Sequence, residues 1–206
     1  MDLIIARHAE TVFNAAARMQ GRLAHTPLTR AGLTQAEAMG AALAAGGLSK
    51  GRDLWMSPSG RTQQTAAIIS EHLGRDFFDW QSDPRLMEID VGDWQGRPQA
   101  EIVAAHGPIV DAGRRLLSMQ PPGGEWFPDI AARLAAWMAE LPAGRPLLVI
   151  SHGVTSRVLR GMLAGGQDWH GVPVADDLPQ GSIVRVQQGA ETLLYQGQGA
   201  LGMRSI

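Results

Sequence analysis

The sequence predicts an α/β protein, a three-layer α/β/α sandwich around a mostly parallel sheet with a small lid-like insertion. Helical and strand signals alternate along the 206 residues, which is the pattern of a sheet covered by helices. Two short apolar runs, residues 3–6 and 146–150, have the length and composition of buried strands. The chain is 45% hydrophobic and contains no linker, repeat or low-complexity tract, so we expect a single domain over residues 1–206.

The first half of the chain is expected to form three strands and two helices. Thr29 has the residue type of an N-cap, and apolar residues recur after it at helical spacing until two glycines stop the pattern. A second helix should start near Arg61, directly after a strand and a turn. The expected strands are residues 3–6, 54–57 and 77–80, and the expected helices are residues 30–45 and 61–73.

The second half of the chain begins with a segment that breaks this alternation. Residues from about 89 to 124 are rich in glycine and proline with two short helical pieces, so we interpret them as a lid-like insertion over the sheet. Regular signals then return. They predict helices at 125–141 and from 153 to about 163, a buried strand at 146–150, and an edge hairpin of strands 183–186 and 192–195.

Composition excludes several classes of function. The chain has no cysteine, which removes thiol catalysis, disulfides and iron–sulfur clusters. A net charge of −2 and a pI near 6.3 give no general attraction to nucleic acid or to an anionic membrane surface. No apolar run is long enough to span a bilayer, and the N-terminus does not look like a signal peptide, so a cytoplasmic protein is expected.

Histidines stand at the ends of the two clearest strands. Arg7 and His8 follow the first strand, and His152 follows the strand at 146–150. Because parallel strands end at one edge of a sheet, these side chains should meet there, with Arg61 from the start of a nearby helix. Two arginines and two histidines at one edge favour an anion such as a phosphoryl group, although each residue alone fits an ordinary cap or solvated surface position.

These residues and several other short motifs resemble the histidine phosphatase superfamily, which includes cofactor-dependent phosphoglycerate mutase. The resemblance covers about 180 residues, with six motifs in the order of that family. Its departures are small: Ala9 stands where glycine is common, and Gly60 and Thr62 flank Arg61 in place of the usual residues. The motifs are Arg7-His8-Ala9-Glu10-Thr11 with Asn14, Gln20-Gly21 with Pro27-Leu28-Thr29, Ser57-Pro58 with Arg61, Leu86 with Glu88, Pro122-Gly123-Gly124-Glu125, and Ser151-His152-Gly153.

The resemblance implies a mechanism and a set of roles. His8 would attack phosphorus and form a phosphohistidine, which requires a neutral imidazole with one nitrogen free. Glu88 would protonate the leaving oxygen and later deprotonate the attacking water. The phosphoryl oxygens would be held by Arg7, Arg61 and His152, and the substrate would also be bound by Asn14, Gln20, Gly21 and Gly153. Neither a cofactor nor a metal is implied, and the six histidines show no metal-ligand spacing.

Whether the chain is a phosphatase or a mutase depends on a few positions after Glu88. Mutases of this family carry cationic and tyrosine side chains where this sequence has Ile89, Asp90 and Val91, and a lysine where it has Gln99. The missing cations favour a phosphatase. Arg114-Arg115 resembles an arginine pair of the mutases, but these side chains are more simply explained as solvated.

The sequence allows two alternatives to a phosphatase. One is a mutase, and the other is a catalytically silent protein that binds a phosphorylated ligand. The substrate is expected to be a small phosphomonoester, whose identity the sequence does not determine. A homodimer is one assembly that the sequence allows. No firm role is assigned to Gln180. Four aromatic residues, Trp80, Trp94, Trp126 and Phe127, fit either a stacking surface or ordinary core packing.

Overall fold

The computed structural model describes residues 1–201. Its eight strands are β1 (Asp2–Arg7), β2 (Asp53–Met56), β3 (Trp80–Ser82), β4 (Leu147–Ser151), β5 (Gln167–Trp169), β6 (Val172–Val174), β7 (Ile183–Gln187) and β8 (Ala190–Tyr195). Its six α-helices are α1 (Val12–Ala15), α2 (Arg30–Ala45), α3 (Gly60–Leu73), α4 (Gln99–His106), α5 (Phe127–Glu140) and α6 (Gly153–Ala164).

Six of the strands form a central sheet in the order β3-β2-β4-β1-β7-β8. The pairings β1–β4, β4–β2 and β2–β3 are parallel, whereas β1–β7 and β7–β8 are antiparallel. The predicted mostly parallel sheet with a closing antiparallel hairpin is therefore confirmed. The strands β5 and β6 form a separate small hairpin that the sequence did not predict.

The sheet separates two layers of helices, because alternate side chains of β1 and β4 point to opposite faces. Leu3 and Ile5 pack with apolar residues of α5 and α6 on one face. Ile4 and Ala6 pack with α2 and α3 on the other face. All four side chains are at most 2% exposed, as expected for a strand covered on both faces. This confirms the predicted α/β/α sandwich.

The third strand was predicted one turn too early. Residues Phe77–Asp79 form a short 3-10 helix, and β3 begins only at Trp80. The cause is local: the Asp76 carboxylate accepts the backbone N–H of Phe78 at 3.0 Å, which caps the helical turn and leaves the Phe78 side chain 88% exposed.

Residues 89–124 lie against the sheet through apolar side chains of their own. Ile89, Trp94, Ile102 and Leu116 are buried in the same core cluster as the inner residues of α5 and α6. Opening of this segment as a lid remains a prediction. Any such opening would disturb these buried contacts.

The aromatic residues mostly serve the core. Trp94 and Phe127 are fully buried and Trp80 is 6% exposed, so only Trp126 is partly open to solvent. Of the four aromatic residues that the sequence offered for a stacking surface, one is therefore accessible to a ligand. Within residues 1–201, none of the helices has both the length and the apolar character needed to cross a membrane.

Candidate active site

The carboxyl edge of the sheet brings the predicted residues together. Arg7 at the end of β1 is paired with Ser151 at the end of β4, so His8 and His152 leave adjacent strands side by side. Their rings lie 5.2 Å apart, centroid to centroid, in an edge-on arrangement. Arg61, in the first turn of α3, reaches the same point, because its Nε donates to Nδ1 of His152 at 3.1 Å.

The His8 ring is held in one orientation. Its Nδ1 lies 2.8 Å from the carbonyl oxygen of Ala9, an acceptor, so in the neutral ring the hydrogen is on Nδ1 and the lone pair is on Nε2. Burial, followed by the positive charges of Arg61 and Arg7, holds the pKa of His8 well below 6.5. The imidazole is therefore neutral near pH 7, with a nitrogen available as a nucleophile.

Arg7 is a half-buried cation with buried hydrogen-bond donors that no described residue accepts. Its Nε and Nη1 atoms are inaccessible to solvent and have no hydrogen-bonding partner among residues 1–201. Burial lowers the pKa of Arg7, an effect that the negative charges of Asp177 and Glu88 oppose. A Cβ atom at Gly153 would lie 3.3 Å from Cζ of Arg7, so a glycine there lets the guanidinium lie close to the start of α6. An anion would supply the missing partner.

Arg61 is held rigidly by several acceptors. It donates to the carbonyl oxygens of Gly21 and Leu23 and to Oγ1 of Thr26, at 2.9 to 3.1 Å, besides its bond to His152. Burial lowers its pKa to about 10, so the guanidinium remains charged near neutral pH. Residues 1–201 accept four of its five N–H groups, so one N–H on Nη2 has no acceptor among them and can be offered to a ligand.

His152 is fully buried between Arg61 and a serine. Since its Nδ1 accepts from Arg61, its Nε2 carries the hydrogen and donates to Oγ of Ser57 at 2.7 Å. Burial, together with the charges of Arg61 and then of His8, holds the pKa of His152 well below 6.5. Both ring nitrogens are thus occupied, and His152 lies beside His8 rather than on the wall of the cavity. Direct contact between His152 and a phosphoryl group therefore stays a prediction.

Glu88 is placed at the N-terminus of α6. Its carboxylate accepts the backbone N–H groups of Val154 and Thr155 at 3.2 and 3.1 Å, and that of Ile89 at 3.0 Å. Positive partial charge at a helix N-terminus suits a carboxylate. The side chain lines the same cavity as His8, which is the position that an acid or base would need.

The amide side chains near His8 form a connected group. The Asn14 Oδ1 accepts the backbone N–H of Thr11 at 3.1 Å and the Nε2 of Gln180 at 3.0 Å. Gln180 also donates to the carbonyl oxygen of Ala9 at 3.2 Å, and Oε1 of Gln20 lies 2.8 Å from the Thr11 hydroxyl. Gln180 is 1% exposed and lines the cavity. The sequence left its contribution open, because Gln180-Gly181-Ser182 stands where the family commonly has a turn that begins with asparagine.

A cavity of about 100 Å³ lies between these groups. Arg7 and Arg61 give one part of its wall a strong positive charge. Most of the predicted site residues line the cavity, and Gly153 and His152 stand behind it. The lining residues of interest outside the predicted set are Ala17, Arg18, Met19, Ile89, Val91, Gln99, Val154 and Gln180. Among residues 1–201, no group of three or more His, Asp or Glu side chains is arranged to hold a metal ion.

A neutral histidine beside two arginines and a carboxylate is an arrangement suited to phosphoryl chemistry. Comparison with known proteins places the chain in a family with that chemistry. The model of the histidine phosphatase superfamily (branch 1) matches residues 3–196, and the chain belongs to this superfamily.

Individual relatives cover most of the chain. A probable phosphoglycerate mutase GpmB from Yersinia pestis (strain Pestoides F) is 32% identical over 173 residues, 80% of this chain and 75% of the relative. A mycobacterial glucosyl-3-phosphoglycerate phosphatase in complex with VO3 has a TM-score of 0.72 at 28% identity, covering 97% and 99% of the two chains. A putative α-ribazole-5′-P phosphatase from Escherichia coli has a TM-score of 0.69 at 26% identity, covering 99% of each chain.

Proposed function

We propose that this protein is a cytoplasmic, metal-independent phosphatase that hydrolyses a small phosphomonoester through a phosphohistidine on His8. The observation that carries the proposal is the pairing of His8 with Arg7. Nδ1 of His8 donates to the Ala9 carbonyl, so Nε2 carries the lone pair that can attack. The buried Nε and Nη1 of Arg7 can donate to an anion bound beside His8. Phosphatase neighbours support the same class of reaction.

The first step forms the phosphoenzyme. The Nε2 lone pair of His8 attacks phosphorus, the bond from phosphorus to the ester oxygen breaks, and the leaving oxygen takes a proton from Glu88. Arg7 and Arg61 offer N–H groups to the phosphoryl oxygens, where negative charge is concentrated in the transition state. Asn14 contributes its Nδ2, because its Oδ1 is already occupied by Thr11 and Gln180.

The second step releases phosphate. Glu88, now a carboxylate, takes a proton from a water molecule whose oxygen attacks phosphorus. The bond between phosphorus and Nε2 breaks, and its electron pair returns to His8. Glu88 ends the cycle protonated and ready for the next ester, so one carboxyl group acts as acid and then as base.

Hydrolysis rather than mutase activity is favoured by the apolar and neutral side chains that line part of the cavity. Ile89 and Val91 line it with apolar side chains, and Gln99 is neutral. Asp90 is turned to Arg22, with 3.8 Å between Oδ2 and Nη1. These positions therefore add no cation for a second acidic group, and water can take its place.

The arginine pair that resembles the mutases lies elsewhere. Arg114 is 5.5 Å from the ring centroid of Trp169, and the Arg115 carbonyl oxygen accepts from Arg157. Neither side chain lines the cavity. Phosphoglycerate mutase is the second candidate function, because one of the relatives is a probable phosphoglycerate mutase. Mutase activity can be tested with the same protein variants and a different substrate.

The test is steady-state hydrolysis of p-nitrophenyl phosphate in EDTA by the wild type, His8→Ala and a control, His72→Ala. His72 is at the opposite end of α3 from Arg61 and contacts Glu37, so its loss should leave hydrolysis unchanged. We expect hydrolysis that EDTA does not affect and that His8→Ala abolishes, with no conversion of 3-phosphoglycerate in the presence of 2,3-bisphosphoglycerate. Mutase turnover would instead assign the second candidate. Inactivity of the wild type on p-nitrophenyl phosphate and on a panel of phosphomonoesters would instead indicate a protein that binds a phosphorylated ligand without catalysis.

A further inference from the structure

The two oxygens of the Glu88 carboxyl group have unequal surroundings. Oε1 lies within hydrogen-bonding distance of three donors: the backbone N–H groups of Ile89 and Thr155, at 3.0 and 3.1 Å, and the Thr155 hydroxyl at 3.2 Å. From the described residues, Oε2 accepts only the N–H of Val154, at 3.2 Å. Oε2 therefore has room for the proton that goes to the leaving oxygen, and Oε1 is the oxygen that the protein holds.

The Thr155 hydroxyl has one hydrogen and two acceptors for it. Its Oγ1 is 2.7 Å from the carbonyl oxygen of Met87 and 3.2 Å from Oε1 of Glu88. Thr155 is fully buried, so bulk water does not compete for the hydrogen. Only one of the two hydrogen bonds can form at a time, and the choice depends on which acceptor carries more negative charge.

Arg133 fixes the position of the Thr155 oxygen. Its Nη2 donates to Thr155 Oγ1 at 3.2 Å, and its Nε donates to Oε1 of Glu125 at 2.8 Å. Arg133 also donates to the carbonyl oxygen of Arg85. Because the oxygen is held by a donor from outside, the hydroxyl hydrogen can turn from one acceptor to the other without movement of the side chain.

We infer that Thr155 is a positioning residue whose hydroxyl follows the protonation state of Glu88. It donates to the Met87 carbonyl while Glu88 carries its proton, and it turns to Oε1 when Glu88 has given that proton to the leaving oxygen. The charged carboxylate then gains a hydrogen bond at the moment it forms. This inference rests on the proposed function, because it supports the acid role of Glu88 in the first step.

The expected signature is a dependence on the leaving group. An alkyl ester such as β-glycerophosphate needs a proton on its leaving oxygen, whereas p-nitrophenolate leaves without one. Loss of the hydroxyl in Thr155→Val should lower kcat/KM for the alkyl ester by about tenfold, the effect of one hydrogen bond to a charged group, and change that for p-nitrophenyl phosphate little. Thr155→Ser, which keeps the hydroxyl, should restore the wild-type ratio of the two values.

The control is Ser156→Ala, which removes a hydroxyl that bonds to Gly153 in the same turn of α6 and does not contact Glu88. We expect its ratio to match the wild type. If Thr155→Val does not give folded protein, Thr155→Ala removes the same hydroxyl with a smaller side chain. Equal losses for both esters, an unchanged ratio in the variants that lack the hydroxyl, or a Thr155→Ser variant that fails to restore the ratio would each overturn the inference. A wild type that hydrolyses neither ester would overturn the proposed function instead.

Discussion

At the scale of single residues, Arg52 and Arg7 differ in how the protein satisfies their buried hydrogen-bond donors. Arg52 is 8% exposed and donates to the Asp2 carboxylate at 2.7 Å and to backbone oxygens of Asp2 and Leu147. Arg7 has the same chemistry, but its Nε and Nη1 lack a partner within the described chain. Buried donors without an acceptor are unfavourable, so we expect Arg7 to lower the stability of the fold unless a ligand completes its hydrogen bonds.

Replacing these two arginines with methionine should therefore have opposite effects on stability. Arg7→Met removes two buried donors that have no acceptor within the described chain. The Asp177 and Glu88 charges that act on Arg7 also act on Arg157 and Arg61, so neither carboxylate loses all of its cations, and we expect a gain of about 1 kcal/mol. Arg52→Met leaves buried acceptors without a donor and should cost about 1–3 kcal/mol. Urea denaturation measures both changes.

Inorganic phosphate separates the role of Arg7 from a general effect of the substitution. At 100 times its dissociation constant, phosphate should stabilise the wild type and Arg52→Met by about 2.7 kcal/mol, because it binds only the folded state. The same concentration should leave Arg7→Met nearly unchanged. Equal stabilisation of Arg7→Met by phosphate would place the anion site away from Arg7.

At the scale of the elements, the sequence was sufficient to predict the edge of the sheet where the site forms. The runs that become β1 and β4 are apolar up to a polar residue and a histidine, and parallel strands end at one edge, so Arg7, His8 and His152 had to be neighbours. The position of Gln180 could not be predicted, since its contacts with Ala9 and Asn14 join residues more than 160 positions apart. The 3-10 helix before β3 was missed because one carboxylate, that of Asp76, determines it.

The first turn of α2 depends on a close approach that only glycine allows. A Cβ atom at Gly32 would lie 2.0 Å from the carbonyl oxygen of Glu10, two residues after His8. Alanine favours a helix over glycine by about 1 kcal/mol, but this clash with the backbone is larger. We expect Gly32→Ala to lower the free energy of unfolding by about 2 kcal/mol and to reduce hydrolysis, because the chain after His8 must move. Thermal denaturation and the p-nitrophenyl phosphate assay measure the two effects.

Gly113 provides the matched control for that substitution. The nearest atom to a Cβ there is Oδ1 of Asp111 at 3.5 Å, an ordinary contact. Gly113→Ala should change stability by less than about 0.5 kcal/mol and leave hydrolysis at the wild-type rate. A Gly32→Ala variant as stable and active as Gly113→Ala would mean that α2 can shift away from Glu10 without affecting the site.

At the scale of the whole molecule, the site makes folding depend on pH. His8 and His152 are buried in neutral form, and burial with nearby arginines lowers the pKa of each well below 6.5. Between that folded value and 6.5, the unfolded chain binds more protons than the folded chain, so stability falls as the pH is lowered through 6.5. With two such groups the free energy of unfolding should decrease by up to about 2.7 kcal/mol per pH unit, and it should be nearly constant between about pH 7.5 and 9. Urea denaturation at a series of pH values measures this slope.

The carboxylates that hold arginines act in a different pH range, so they do not obscure this slope. The pKa of Asp2, bonded to Arg185 and Arg52, is lowered from 3.8, and stability from that pair is lost only as the pH falls below about 4. Between pH 6.5 and 4.5 the histidines should therefore dominate, and His8→Gln should reduce the slope to about half, near 1.4 kcal/mol per pH unit. If His8→Gln kept the full slope, the pKa of His8 in the folded protein would not be lowered, and burial with the nearby arginines would not be what keeps this imidazole neutral.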